Sequence, residues 1–197
     1  MKRHILTTIL IAAAAVLLPV LIVSSFTGIG GRSAARKAGG SSVVTVHPHE
    51  EALETANISG RTTVFLAGTI DMGRSADWQS QADSLFSELP DGAFMLFNPR
   101  QADWDASRPG EMDYQVNWEL DHLEKADWII MNILPDSRSP ITLLELGLHA
   151  RGGRLLVICP PEFYRYDNVR ITCAKYGVPI LGSLEDAVLH ISQNDRL

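Results

Sequence analysis

The sequence predicts an α/β fold in which a parallel sheet lies between two layers of helices. After residue 60, short apolar stretches and longer amphipathic stretches alternate about five times, which is the pattern of repeated strand–helix units. Residues 128–134 are apolar almost throughout, as is typical of a strand that is buried on both faces. Right-handed crossovers then cover both faces of the sheet with helices. We therefore expect a three-layer sandwich with a five-stranded parallel sheet.

Each predicted element has a local signal. Strands are predicted where β-branched and apolar residues form short runs between turn residues. Helices are predicted where apolar residues recur every three or four positions, with Ser75 and Ser139 as expected N-caps and Pro140 at a first helical position. The predicted strands are 63–67, 93–97, 128–134, 155–159 and 178–181, and the predicted helices are 75–89, 114–125, 140–150, 169–176 and 184–191. In the second helix we expect Val116, Leu120 and Leu123 to face the core.

The chain begins with a hydrophobic segment. Residues 5–23 are almost entirely apolar and follow two basic residues; nineteen residues in a helix nearly cross the roughly 30 Å core of a bilayer. We therefore expect residues 1–26 to form a hydrophobic helix that is a single-pass signal-anchor in a membrane. A cleaved signal peptide of a secreted protein and an organelle presequence are the alternatives. Residues 27–60 are predicted to be a linker, and residues 61–197 form the predicted domain.

The charge of the chain excludes one class of partner. The first 37 residues hold five basic and no acidic residues, so the remainder has 12 basic and 23 acidic residues and a formal net charge of −11. Binding to a nucleic acid polymer needs a basic surface, and we do not expect it. A small nucleoside carries little charge and remains a possible ligand.

The cysteines and histidines do not predict a metal or another cofactor. Cys159 and Cys173 are far apart in sequence and form no metal-binding spacing. Two buried free thiols are the expected state, and a disulfide in an oxidising compartment is the alternative.

A single carboxylate, Glu145, lies within an apolar helical stretch. The four leucines around it predict that this helix is largely buried, and a buried charge is costly unless it is paired or used. The helix also begins beyond the carboxyl end of a strand, where open α/β sheets bind ligands. A glutamate on a solvated helix edge is the alternative. The four leucines are Leu143, Leu144, Leu146 and Leu148.

Other candidate site residues follow the predicted strands. Glycines after the first strand let a backbone approach a ligand, and a tryptophan in a long polar loop suits a wall that stacks on a flat ring. Ser139 has a hydroxyl at a helix N-terminus, and Asp127 precedes a strand, where capping is the alternative role. The candidates are Gly68, Thr69 and Asp71, then Asn98, Arg100 and Trp104, then Asp127, Ser139 and a polar and aromatic segment at 160–168.

A buried glutamate, a second acid and aromatic walls suit one chemistry in particular. Paired carboxylates cleave glycosidic bonds through a glycosyl–enzyme intermediate, in which one acid attacks the anomeric carbon and the other protonates the leaving group. A nucleobase as the leaving group would explain the aromatic side chains.

Several ordered motifs within residues 62–190 resemble those of the nucleoside 2-deoxyribosyltransferase-like family. The motifs are FLAGTIDMG at 65–73, DWQ at 77–79, FNPR at 97–100, QVNWE at 115–119, AD at 126–127, SPITLLELG at 139–147 and NV at 168–169. The resemblance implies a flavodoxin-like fold and cleavage of the N-glycosidic bond of 2′-deoxynucleosides. The deoxyribosyl group would pass to a catalytic glutamate and then to another base or to water.

The resemblance also implies roles for individual residues. Glu145 takes the position of the nucleophile, and Asp127 that of an acid that helps to handle the leaving base. Asn168 resembles an asparagine that reaches into the site of a neighbouring subunit, which implies a homo-oligomer. Residues 68–71 resemble the loop beneath the substrate.

The chain departs from the family pattern at Ser139. Many transferases have an aspartate there that meets a sugar hydroxyl, whereas related deoxynucleoside 5′-monophosphate N-hydrolases have a serine that helps to hold phosphate. Both transfer and hydrolysis, and both nucleosides and nucleotides, therefore stay open. A membrane-tethered nucleotide-binding module without catalysis is the alternative function.

Overall fold

The structure, a computed structural model, describes residues 43–90 and 93–194 and shows one parallel sheet with helices on both faces. The predicted three-layer α/β architecture is confirmed for these residues. The strands are β1 (Val43–Val46), β2 (Thr62–Gly68), β3 (Phe94–Phe97), β4 (Trp128–Asn132), β5 (Leu155–Ile158) and β6 (Ile180–Leu181). The helices are α1 (Glu51–Asn57), α2 (Trp78–Ser87), α3 (Glu111–Lys125), α4 (Pro140–His149), α5 (Tyr166–Tyr176) and α6 (Leu184–Asn194), with a 3-10 turn at Asp71–Gly73.

The sheet has six strands in the order β1-β3-β2-β4-β5-β6. Without β1, the remaining five have the order 2-1-3-4-5, which is the flavodoxin-like order. Strands are added to one side of β2 first and then to the other, so the strand order reverses between β2 and β4. These two parallel strands pair from Val64 with Trp128 to Gly68 with Asn132. Ligands of such sheets bind beyond the carboxyl ends of the strands at this reversal.

The prediction of five strands was wrong by one. Val43 to Val46 pair with Phe94 to Phe97 at the edge of the sheet, and both terminal valines of β1 are buried. Strand β1 and helix α1 lie within residues 27–60, which were predicted to be a linker. The sequence pattern for this strand is weak because it is four residues long, and its partner β3 follows about 50 residues later in the chain.

Two apolar cores lie on opposite faces of the sheet. Side chains of α3, α4 and α5, such as Trp118, Leu146 and Val169, pack with Phe65 and Met131 on one face. Side chains of α2 and α6 pack on the other face; they are Trp78, Ala82, Phe86, Leu184, Ala187, Val188 and Ile191. Cys159 and Cys173 are free and buried in the first core, as expected.

The predicted inner faces of two helices need correction. In α3, Val116 and Leu120 are exposed, and the buried residues are Glu111, Gln115, Trp118, His122 and Leu123. Helix α4 is not largely buried, because Ile141, Leu144 and Leu148 are each more than half exposed. Apolar periodicity identified both helices, but their inner faces carry polar side chains. These polar residues include the candidate site.

The predicted N-terminal hydrophobic helix, residues 1–26, lies outside the described residues. Within residues 43–90 and 93–194, no helix has the length and apolar character needed to cross a membrane.

Candidate functional site

Two glutamates, from two helices on the same face of the sheet, form the centre of the candidate site. Glu145 on α4 is 7% exposed, and no hydrogen bond from a described residue lowers the pKa of its carboxyl group. Burial, with a smaller contribution from the charge of Glu119 on α3, raises the pKa of Glu145 to about 8. Burial also raises the pKa of Glu119. Because the pKa of Glu145 lies above 7, the pair holds a proton near neutral pH.

Glu119 is held by a buried amide on its own helix. Gln115 Nε2 donates to Glu119 Oε1 at 2.7 Å and to the carbonyl oxygen of Pro99 at 2.9 Å. Residues four apart share one face of a helix, which is why this contact forms. Gln101 Nε2, in the loop after β3, donates to Gln115 Oε1 at 2.5 Å. The second acid is therefore tied to the loop that follows β3.

Three hydroxyl groups cluster where the β2 and β4 ends meet. Ser139 Oγ lies 2.6 Å from Thr69 Oγ1 and 2.8 Å from Ser137 Oγ, and all three side chains are buried. The backbone N–H of Leu134 donates to Thr69 Oγ1 at 3.0 Å. This cluster lies at the reversal point of the sheet and gives it a polar lining.

Ser139 occupies the N-cap position of α4 as predicted, but its side chain does not cap the helix. It immediately precedes Pro140, the first residue of α4, but its φ of 42° is left-handed, and its hydroxyl makes no capping hydrogen bond. A non-glycine residue in this conformation is strained. The hydroxyl is directed to Thr69 instead of the first turn of the helix. The N-cap of α2 is Asp77 and not the predicted Ser75. The Asp77 side chain accepts a hydrogen bond from the Ser80 N–H.

Gly68 and Asp71 shape the loop after β2. Gly68 has a φ of 139°, and a Cβ atom there would lie 2.1 Å from the carbonyl oxygen of Asn132. Asp71 is exposed and has a φ of 49°. Gly68 therefore allows β2 and β4 to approach each other directly below the hydroxyl cluster.

Arg100 and Asn98 support the loop after β2. The guanidinium group of Arg100 donates to Gln79 Oε1 at 3.1 Å, to Ser75 Oγ at 2.9 Å and to the Ala76 carbonyl oxygen at 3.1 Å. The side chain of Asn98 is buried and accepts the Arg100 backbone N–H at 3.0 Å. Most of the donors of Arg100 are thus used within the protein.

Trp104 lies in the loop after β3, and Asn168 lies at the start of α5. Trp104 is half-buried in the loop before α3, and its Nε1 has no hydrogen-bond partner among the described residues. Asn168 is exposed at the start of α5 and lines a cavity of about 320 Å³ between α4 and α5. Leu143, Leu146, Gly147, Arg165, Val169 and Thr172 also line this cavity.

Asp127 lies at the other end of the sheet. It precedes β4, and its carboxylate accepts hydrogen bonds from Thr63 N at 2.8 Å and Thr63 Oγ1 at 2.7 Å. Its own N–H donates back to Thr63 Oγ1. These contacts join the starts of β2 and β4, and the acid whose charge acts on Glu145 is Glu119.

The structure thus brings together Glu145 with Glu119, and Thr69 with Ser139, but does not join Asp127 to either group. Glu119 was missed as a site residue. The sequence feature that could have indicated it is the four-residue spacing of Gln115 and Glu119 within the QVNWE motif. This spacing places both on one helix face, next to buried Trp118. Within residues 43–90 and 93–194, no group of three or more His, Cys, Asp or Glu side chains is placed to hold a metal ion.

The comparisons with known proteins identify the class. A family model described as nucleoside 2-deoxyribosyltransferase like matches residues 61–163, more than half of the chain. The chain belongs to this family. A crystal structure described as a conserved protein from Enterococcus faecalis V583 is similar with a TM-score of 0.48 and 13% identity, and the match covers 68% of this chain and 99% of that chain. No curated protein matches.

Proposed function

We propose that this protein cleaves the N-glycosidic bond of 2′-deoxynucleosides or their 5′-monophosphates through a glycosyl–Glu145 intermediate. The observation that carries the proposal is the Glu145–Glu119 pair: burial raises both pKa values, and the charge of Glu119 adds to the rise at Glu145. Pairs of acids with shifted pKa values are typical of sites for acid–base and nucleophilic chemistry. Family membership supports the same class of reaction.

The proposed reaction needs one proton on the pair. The pKa of about 8 keeps this proton on Glu145 at neutral pH, so the reaction begins with its transfer to Glu119. The ionised Glu145 carboxylate then attacks the C1′ atom of the sugar, and the C1′–N bond to the base breaks. Glu119 gives its proton to the departing base. Water or a second base then attacks C1′ and releases Glu145, and Glu119 takes up the proton of the acceptor. We place Glu119 in the acid role that the resemblance implied for Asp127.

The polar groups near the reversal point suggest how the sugar end is held. Thr69 and Ser139 present hydroxyl groups there, and such groups hydrogen-bond to a sugar hydroxyl or to a phosphate oxygen. Most of the Arg100 donors are occupied. The substrate test therefore needs both nucleosides and 5′-monophosphates.

The test is an assay of base release by the full-length chain. It is incubated with deoxynucleosides and with deoxynucleoside 5′-monophosphates, with and without a second base, and the products are separated by chromatography. We expect release by the wild type, none by Glu145→Gln, and a rate reduced by about 10²–10⁴-fold in Glu119→Gln, because the leaving base loses its acid. Asp127→Asn, a matched change on an acid outside the pair, is expected to retain activity.

The outcomes separate the candidate functions. Release of base by Glu145→Gln at the wild-type rate would refute the role of Glu145. Binding without release by the wild type would support the non-catalytic binding module instead. Loss of activity in Asp127→Asn, with Glu119→Gln active, would return the acid role to Asp127.

Two further proposals concern the assembly and location of the protein. A homo-oligomer in which Asn168 reaches a neighbouring site is supported by the exposed position of Asn168 beside α4. Membrane attachment is supported by the apolar residues 5–23, and extraction of cell membranes with alkaline carbonate tests it: an integral anchor stays in the pellet.

A further inference from the structure

The nitrogen and the oxygen of the Gln115 carboxamide both form hydrogen bonds within the protein. It is 8% exposed. Its two amide hydrogens serve Pro99 O and Glu119 Oε1, and its oxygen accepts from Gln101 Nε2. An amide with two donors used has none left for a ligand. Gln115 is thus held in place by the protein, and its contact with the Glu145–Glu119 pair is the hydrogen bond to Glu119.

The orientation of this amide cannot be reversed without cost. The carbonyl oxygen of Pro99 only accepts hydrogen bonds, so the nitrogen of Gln115 must face it. A flipped amide would direct its oxygen at both the Pro99 carbonyl and the Glu119 carboxyl group. It would also direct its nitrogen at the Gln101 donor. Gln115 therefore always presents a donor to Oε1 of Glu119.

We propose that Gln115 is a positioning residue that keeps Glu119 Oε1 occupied, so that the proton delivered to the departing base is carried by Oε2. This inference rests on the proposed function, in which Glu119 is the acid. A carboxyl oxygen that already accepts an amide N–H is the poorer site for the proton, because the proton would meet that donor hydrogen. The carboxyl plane is fixed at the same time, which aims Oε2 in one direction.

Among the described residues, the ionisable group whose pKa the charge of Glu119 shifts is Glu145 on α4. Gln101, the donor to the Gln115 oxygen, also donates to Glu111 Oε1 at 3.1 Å, and His49 Nε2 lies 3.2 Å from the same Glu111 oxygen. The Gln115 hydrogen bond favours the ionised form of Glu119, which partly offsets the effect of burial. Its removal should let Glu119 hold its proton more tightly and turn more freely.

The experiment replaces Gln115 by a side chain of similar length that has no donor. Full-length Gln115→Met is compared with wild type and with Asn117→Met, a matched change on α3 at an exposed amide that donates only to the Asp113 carbonyl oxygen. The measurements are kcat and KM for base release across pH, and the titration of the Glu119 carboxyl carbon by ¹³C NMR, assigned with Glu119→Gln. If Gln115→Met does not fold by circular dichroism, Gln115→Leu, which is uncharged and also has no donor, replaces it.

The expected result is specific to positioning. In Gln115→Met, kcat falls on the order of 10²-fold with little change in KM, because the acid is misplaced while substrate contacts remain. The basic limb of the pH profile and the Glu119 titration both move upward by about one unit, because a charge-assisted hydrogen bond to the ionised form is lost. Asn117→Met matches the wild type in both measurements.

Failure of the inference and failure of the proposed function look different. If the wild type releases base but neither the basic limb nor the Glu119 titration moves in Gln115→Met, the positioning role is wrong and the proposed function stands. If the wild type releases no base from any deoxynucleoside or 5′-monophosphate, the proposed function fails, and the role of Gln115 in proton delivery fails with it.

Discussion

At the scale of single residues, the buried carboxyl group of Glu145 couples protonation to folding. Its pKa is about 8 in the folded protein, against an ordinary value of 4.5. The folded state therefore keeps a proton over a pH range in which the unfolded chain has lost it. The stabilisation that this proton gives is complete below pH 4.5 and is lost as the pH rises through 8.

Replacing Glu145 by glutamine should remove this pH dependence. Because glutamine does not titrate, the Tm advantage of Glu145→Gln over the wild type should grow from pH 5 to pH 8 and reach roughly 5 °C. Thermal unfolding in a series of buffers measures it. Glu162→Gln, at an exposed carboxylate, is the control and should show no such trend. A Tm difference that is the same at every pH would contradict the burial of an uncompensated carboxyl group.

Part of the site was predictable from sequence at this scale. Glu145 was identified because a charge among leucines is unusual, and the structure buries it as that pattern predicts. Glu119 was not identified, because the apolar residues Val116 and Leu120 led to the wrong inner face for α3, and both are exposed. The use of Arg100 within the protein was also invisible, since its partners Ser75 and Gln79 lie more than 20 residues away.

At the scale of elements, the approach of β2 to β4 depends on Gly68. The left-handed φ and the nearby Asn132 carbonyl oxygen leave no room for a side chain. Gly68→Ala should lower the free energy of unfolding by roughly 3 kcal/mol, because the clash is with backbone that cannot turn away. Gly73→Ala, where φ is also positive but no atom lies within 4 Å, should cost only about 1 kcal/mol.

Chemical denaturation measures both changes. Equal costs for the two glycine variants would show that the close approach at Gly68 does not constrain the sheet. A catalytic defect in Gly68→Ala without a loss of stability would instead assign the residue directly to substrate binding.

The elements themselves were predicted unequally. Five strands were found because each is a short apolar run, and their parallel order follows from the helices between them. Helix α1 was missed because it buries no residue. It is held to α3 by polar contacts such as Glu54 with Lys125 and with His122 at 3.2 Å. A sequence pattern of apolar positions carries no signal for such a helix.

At the scale of the whole molecule, α4 carries an apolar face beside the candidate site. Ile141, Leu144 and Leu148 are 59%, 60% and 57% exposed, and Glu145 lies at the edge of the stripe that they form along the helix. Val116 and Leu120 are exposed on α3. Clusters of exposed apolar side chains are typical of a contact with another protein. The same leucines that predicted a buried helix thus suggest burial between subunits.

A charge on this face should weaken the proposed homo-oligomer. We expect Leu144→Glu to lower the molar mass measured by light scattering after gel filtration in detergent, and to reduce base release as the neighbouring Asn168 is withdrawn. Leu189→Glu, at a 52% exposed leucine on α6 in the opposite layer, should leave the mass unchanged. An identical mass for Leu144→Glu and the wild type would contradict assembly through α4.

The central claim is that Glu145 forms a covalent bond to the sugar. The most direct measurement is mass spectrometry of peptides after rapid acid quenching of the full-length protein with a deoxynucleoside or its 5′-monophosphate, using Glu119→Gln to slow turnover. We predict one added deoxyribosyl group, with the phosphate if the nucleotide is the substrate, on Glu145. Release of base with every peptide unmodified, or with the sugar on another residue, would contradict it.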